Sequence, residues 1–189
     1  MAAAQAFRLS LLAAGVECPE LSALHNYVLN RATWGGQGVD AGSYVRAAMK
    51  AIAKFGICTE ALWPFAMLRV NRSPSMGAFH DGYHRRLLEG FYRIGTPAEV
   101  RYAIGVERAA VVGGFKVGKA FMAYESGVLE APEEGGGHAI VIEDYLPDGS
   151  FGILNSWGAG WGQRGRGRVS EGWVRAGTDL WAVVVRRAS

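Results

Sequence analysis

The chain has 189 residues, half of them hydrophobic and a fifth charged, with a formal charge of +3 at pH 7. That balance gives one globular domain, or two small lobes sharing an interface, and excludes a disordered chain. Two cysteines and four histidines make neither a disulfide framework nor a zinc spacing, and no apolar run of about eighteen residues exists, so no metal, cofactor or membrane insertion is expected.

Residues 2–14 are rich in alanine and leucine, with no glycine or proline before Gly15. They predict a helix with Phe7, Leu11 and Ala14 on one buried face. The stretch is apolar, but it has no basic leader and carries Arg8 at its middle, so it reads as mature structure rather than a signal peptide. A second helix is expected over 21–31, after Pro19, and the glycine-rich run 34–42 is a loop. Helical periodicity returns over 43–55, and Gly56 stops it. From 67 to 90 the sequence is irregular, broken by Pro74, Gly77 and Gly82. His80 and His84 lie four apart and are able to share a helical face. With no carboxylate or cysteine in company, two surface histidines are the preferred reading over a ligand pair. Residues 91–94 read as a short strand, and Thr96 as the N-cap of a helix running through Pro97 and Glu99 to about Val106. Residues 109–117 are the next strand.

The stretch 135–169 carries the chemistry. Three glycines, Gly135 to Gly137, precede His138, and the apolar run 139–142 follows. A turn with Pro147, Asp148 and Gly149 leads to a second run, Phe151–Leu154, which delivers Asn155-Ser156-Trp157-Gly158. Two apolar runs about a turn predict an antiparallel hairpin. Antiparallel pairing sets the start of one strand beside the end of the other, so His138 and Asn155 are expected within hydrogen-bonding reach. An amide oxygen accepting from one ring N–H fixes the tautomer and aims the other nitrogen outward, which prepares a general base. Trp157 and Trp161 are expected to roof that bond, and the glycine run to give a mobile approach to it. Arg164, Arg166, Arg168, Arg186 and Arg187 gather nearby, interleaved with glycines. A solvated face is preferred for them over a nucleic-acid site.

The pattern Gly137-His138-Ala139, then Asn155-Ser156-Trp157-Gly158, Trp161-Gly162 and Gly165, resembles the second half of papain-like cysteine peptidases. The resemblance implies the papain fold, an α+β architecture in one domain. Its helical left lobe covers 1–65 and its right lobe, on a strongly curved, barrel-like antiparallel sheet, covers 66–189, with a cleft between. It implies His138 as general base, Asn155 as its orienter and Trp157 as the shield, with an extended peptide or protein in the cleft. The likeness runs along nearly the whole chain. Residues 56–65, with Trp63-Pro64, resemble the segment after the family's third helix, which makes Cys58 a structural thiol. Residues 111–117 resemble a strand beside the substrate pocket, expected near Val111, Val112 and Ala139. Gly127-Val128-Leu129 resembles the short element before the histidine strand, and 173–183 the ending, where a short turn precedes a final strand.

The first helix departs from the family. There a nucleophilic cysteine opens this helix, with an oxyanion glutamine a few residues upstream. Matching Gln5-Ala6-Phe7 to the family's x-Ala-Phe puts Ala4 at the cysteine's position; another matching puts it about three residues before Met1. Gln5 follows that position instead of preceding it, so it is not the oxyanion glutamine. Cys18 lies about 20 Å from the helix start at ~1.5 Å per residue, and Cys58 lies beyond the third helix. Ser10 is nearly two turns along and meets the same objection. The chain as written is therefore expected to be inactive or nearly so. It is a natural pseudoenzyme, an engineered exchange of cysteine for alanine at Ala4, or a chain whose Met1 lies downstream of both groups. The competing reading is a non-catalytic binding or structural protein, such as a component of a virion or larger assembly. A protein partner would then cover the edge left by a missing N-terminal strand. Few cysteines and no signal peptide favour a cytoplasmic or virion-associated place.

Overall fold

The computed structural model describes residues 1–36, 38–40, 42–131 and 134–186; Gln37 and Ala41 of the expected loop, and Arg187 of the arginine group, lie outside these. Helix α1, Ala2–Ala13, forms where the alanine- and leucine-rich run predicts it and buries Phe7, Ser10 and Leu11. Helix α2, Ala23–Thr33, is capped by Ser22, whose Oγ accepts from the backbone N–H of His25 at 3.0 Å. Helix α3, Val45–Phe55, stops at Gly56 with φ 67°. A Cβ there would lie 1.8 Å from the carbonyl oxygen of Gly82, so glycine alone suits both the turn and the close approach.

The irregular reading of 67–90 is overturned. A short 3-10 turn, Met67–Arg69, leads to helix α4, Met76–His84, which Ser75 caps by accepting from the N–H of Ala78. Its Gly82 is a packing glycine, set against the His25 ring and the Cys58 backbone.

Strand β1, Leu88–Ile94, is followed by helix α5, Pro97–Gly105, which carries the capping box of Thr96 and Glu99. Then come β2 (Val111–Val117), the short helix α6 (Lys119–Met122), β3 (Gly136–Tyr145), β4 (Phe151–Leu154) and β5 (Arg166–Val169). Helix α7 (Glu171–Arg175) and β6 (Thr178–Val185) complete the described chain. The six strands pair antiparallel with one another, in the order β1-β6-β2-β3-β4-β5. The sheet stays open, with β1 and β5 at its edges, so the barrel-like expectation becomes an open sheet. The architecture is α+β, as the sequence implied.

Both faces of the sheet are covered, which is why its strands read as nearly continuous apolar runs. Alternate side chains point to opposite faces. Val111, Phe115, Ile140, Ile142, Leu180 and Ala182 enter one core with Phe121, Trp161 and Trp173. Val112, Val141 and Val183 enter the other, against Phe7 and Leu11 of α1 and Met49 and Ile52 of α3. The Ser10 hydroxyl accepts from the Ala110 N–H at 2.9 Å, tying α1 to the start of β2. A third cluster, Leu24, Cys58, Trp63, Val70 and Ala78, fills the helical side.

The glycine run before His138 has another reason than mobility. Gly136 and Gly137 belong to β3 and pair with Val117 and Lys116. At Gly135 a Cβ would stand 2.0 Å from the Val117 carbonyl oxygen, so the close backbone of β2 demands glycine there. Among the described residues no helix is long and apolar enough to cross a membrane.

Candidate active site

The register of the sheet makes the site. In β3, His138 sits opposite Phe115 of β2, and Val141 sits opposite Leu154, the last residue of β4. The next residue, Asn155, donates its backbone N–H to the Gly165 carbonyl at 2.8 Å. Its Oδ1 then lies 2.8 Å from His138 Nε2 and 2.8 Å from the backbone nitrogen of Ser156. The Ser156 N–H only donates, so the atom facing it is the amide oxygen. That oxygen accepts from the ring as well, so His138 carries its proton on Nε2 and leaves Nδ1 as the free lone pair. The Ser156 N–H is a positioning group that residue types alone do not reveal.

Electrostatics keep that lone pair available. Burial lowers the His138 pKa from its ordinary 6.5, and the bond to Asn155 opposes it. The imidazole is therefore neutral at pH 7 and able to take a proton. Met1 and Ala2 share a depression with His138, which brings the beginning of α1 to the ring.

Trp157 lies 4.8 Å from the His138 ring, centroid to centroid, and remains 43% exposed. Trp161 takes no part in that roof. It is buried, its Nε1–H donates to the Phe121 carbonyl at 2.7 Å, and it lies 6.4 Å from Trp157. Phe121, not singled out from the sequence, stands edge-on to both His138 and Trp157 and backs the pair. Its signal was an aromatic just past β2.

His138 stands between two depressions. One, of about 350 Å³, has Met1, Ala2, Leu24, Phe65 and Ser156 in its wall with His138. The other, of about 470 Å³, has Tyr44, Gly114, Phe115, Lys116 and Asp179. Ala139 lines both, but Val111 and Val112 are fully buried in the two cores. The expected pocket wall is thus displaced along β2 to 114–116, where the strand emerges from between its covering layers.

The expected place of the nucleophile holds no thiol. Ala2 and Ala4 are both buried, but Ala2 lines the depression at His138 with Met1, whereas Ala4 lines a separate one with Met1, Gln5, Leu21 and Leu154. Burial pushes the Cys18 thiol up, and pushes Cys58 up to about 12 with help from Asp81, so neither supplies thiolate. Ser10 is committed to Ala110. Among the described residues no group of three or more His, Cys, Asp and Glu converges on a metal position. Two arginines of the basic group are engaged: Arg166 pairs with Glu143 at 2.7 Å, and Arg168 with Asp148 and Ser150.

Residues 20–179 match the family described as papain family cysteine protease. The chain is 25% identical over 163 residues to an uncharacterized peptidase C1-like protein of Acanthamoeba polyphaga mimivirus, covering 76% of this chain and 52% of that one. It is 26% identical over 149 residues to a cathepsin L-like proteinase of Fasciola hepatica, covering 72% of this chain and 42% of that one. It thus spans about half the length of the curated relatives it matches. Among solved structures, xylellain, a cysteine protease from Xylella fastidiosa, superposes with a TM-score of 0.81 at 22% identity, over 98% of this chain and 78% of that one. A Carica candamarcensis cysteine protease in complex with E-64 gives 0.78 at 21% identity, over 98% and 87%.

Proposed function

The chain belongs to the papain family of cysteine proteases, and we propose that these 189 residues bind an extended peptide in the cleft beside His138 without cleaving it. One observation carries the reading: His138 Nε2 is held by Asn155, and the free Nδ1 has no cysteine to act on. In this family's chemistry the histidine takes a proton from a thiol, whose sulfur then attacks the scissile carbonyl. Without that sulfur no acyl-enzyme forms, and a base–amide pair with water alone supports only a residual rate. The depressions on either side of the ring offer room for side chains of a bound segment, and Trp157 is placed to report on it.

A second reading is thiol-dependent hydrolysis of peptides, and the neutral, oriented His138 favours it. It requires a thiol from outside these 189 residues. A virion or assembly role remains a form of the first reading, with the partner's segment in the cleft.

The test uses the purified chain, a fluorogenic peptide and an epoxide inactivator of cysteine peptidases. We expect no hydrolysis above that of the H138A variant and no adduct by mass spectrometry, while peptide titration changes Trp157 fluorescence in a saturable way that W157F removes. An epoxide adduct or thiol-dependent turnover would overturn the non-cleaving reading, and a flat Trp157 titration would overturn the peptide-binding one.

A further inference from the structure

We propose that His80 and His84, on the exposed face of α4, form a two-nitrogen site for a divalent transition-metal ion of the zinc type. The helix carries the two imidazoles at i and i+4, the spacing at which side chains share a face. Both residues are exposed, and their rings approach each other. The two Nε2 atoms are 3.1 Å apart, with ring centroids at 4.4 Å and planes at 66°. Two imidazoles bound to one ion at about 2.05 Å hold their nitrogens ~3.3 Å apart at the tetrahedral angle and ~2.9 Å apart at a right angle. The observed 3.1 Å falls between these values. An ion therefore enters after a small rotation of either ring, once the proton shared between the two Nε2 atoms has moved to Nδ1 of its own ring.

The donor set defines the ligand class. Neutral imidazole nitrogens favour zinc, copper or nickel over magnesium and calcium, which want oxygen. Among the described residues no carboxylate completes the sphere: the Asp81 carboxylate is engaged by the Thr59 N–H and by Arg85, each at 3.0 Å. The remaining positions belong to water or to a donor brought by a partner molecule. The opposite side of the helix gives the ion an effect. Gly82 packs on the His25 ring and on the Cys58 backbone, and a helix of nine residues is too short to hold itself in water. An ion across His80 and His84 staples that helix over the buried cluster.

Zinc chloride titrated into the purified chain, in competition with a chromophoric chelator, tests the site. We expect one ion per chain, with affinity falling at least about tenfold in both H80A and H84A and unchanged in C18S. Alanine is a better helix former than histidine, so both variants keep α4. The thermal midpoint supplies a second readout. It should rise roughly 5–10 °C at a hundredfold excess of zinc over Kd in the parent and stay still in the two histidine variants. Equal zinc affinity in the parent, H80A and H84A, or loss of binding in C18S alone, would overturn the proposal.

Discussion

His25 shows how one buried side chain sets the acid response of the helical side. It is fully buried at the foot of α2, and neither ring nitrogen has a hydrogen-bond partner among the described residues. Burial drives its pKa down to about 4, with Asp81 opposing weakly. In the unfolded chain the group titrates near 6.5, so between that value and about 4 the unfolded state holds the extra proton. Stability therefore rises with pH across this window, and is lost as acid passes down through it. A displacement of this size is worth roughly 3 kcal/mol at full effect. We expect H25L, which cannot take up the proton, to lose far less stability than the parent between pH 7 and pH 4.5. Denaturant midpoints measured at both pH values check it; parallel losses in the two proteins would show that His25 does not carry the acid sensitivity. His138 belongs to the same logic with a different use, since its depressed pKa keeps a base neutral at the cleft rather than in the interior.

Helix α1 decides where a nucleophile has to stand, and sequence alignment alone left that place open. Its first turn faces His138, with Ala2 in the wall of that depression and Ala4 turned into another. A thiol at the tip of a helix, beside an imidazole, is biased toward thiolate by the helix dipole and by His⁺. We expect A2C to react with iodoacetamide at neutral pH about tenfold faster than A4C, and to lose that advantage when H138A is added. Faster alkylation of A4C would assign the position to Ala4 instead. The helix phase was not legible because it depends on how Phe7 and Leu11 seat against Val112, Val141 and Val183. The His138–Asn155 pairing was legible, since a turn between two apolar runs fixes strand direction, and direction converts a separation of 17 residues into contact. The capping box at Thr96 was equally plain, because its partners are local. Glycines misled twice. At Gly82 and Gly135 they answer to a close neighbour rather than to a break or a mobile loop, and only the tertiary neighbour shows which.

At the scale of the molecule, the two sides of the cleft share a core, and that governs how they unfold. The cluster under α1 joins Phe7 and Leu11 to Met49 and Ile52 of α3 and, across the sheet, to Val112, Val141 and Val183. Ser10 adds a hydrogen bond to Ala110 from the same helix. Neither the helices nor the sheet can separate without exposing that surface. Burial of apolar area dominates stability, so opening on one side costs free energy on the other. Leu11 is 2% exposed at the middle of this contact. Cutting it to alanine should cost roughly 2–5 kcal/mol. Because the cluster is shared, the loss should appear equally in α3 and in β3 when hydrogen exchange is followed peptide by peptide under mild denaturant. If α3 lost protection while β3 kept its own, the lobes would be separate folding units. The cleft at His138 would then be held by the sheet alone. Equal losses would mean instead that the geometry of the His138–Asn155 pair and the position of the α1 tip are maintained by one cooperative core. Any nucleophile restored at that tip would meet the imidazole without reorganisation of either lobe.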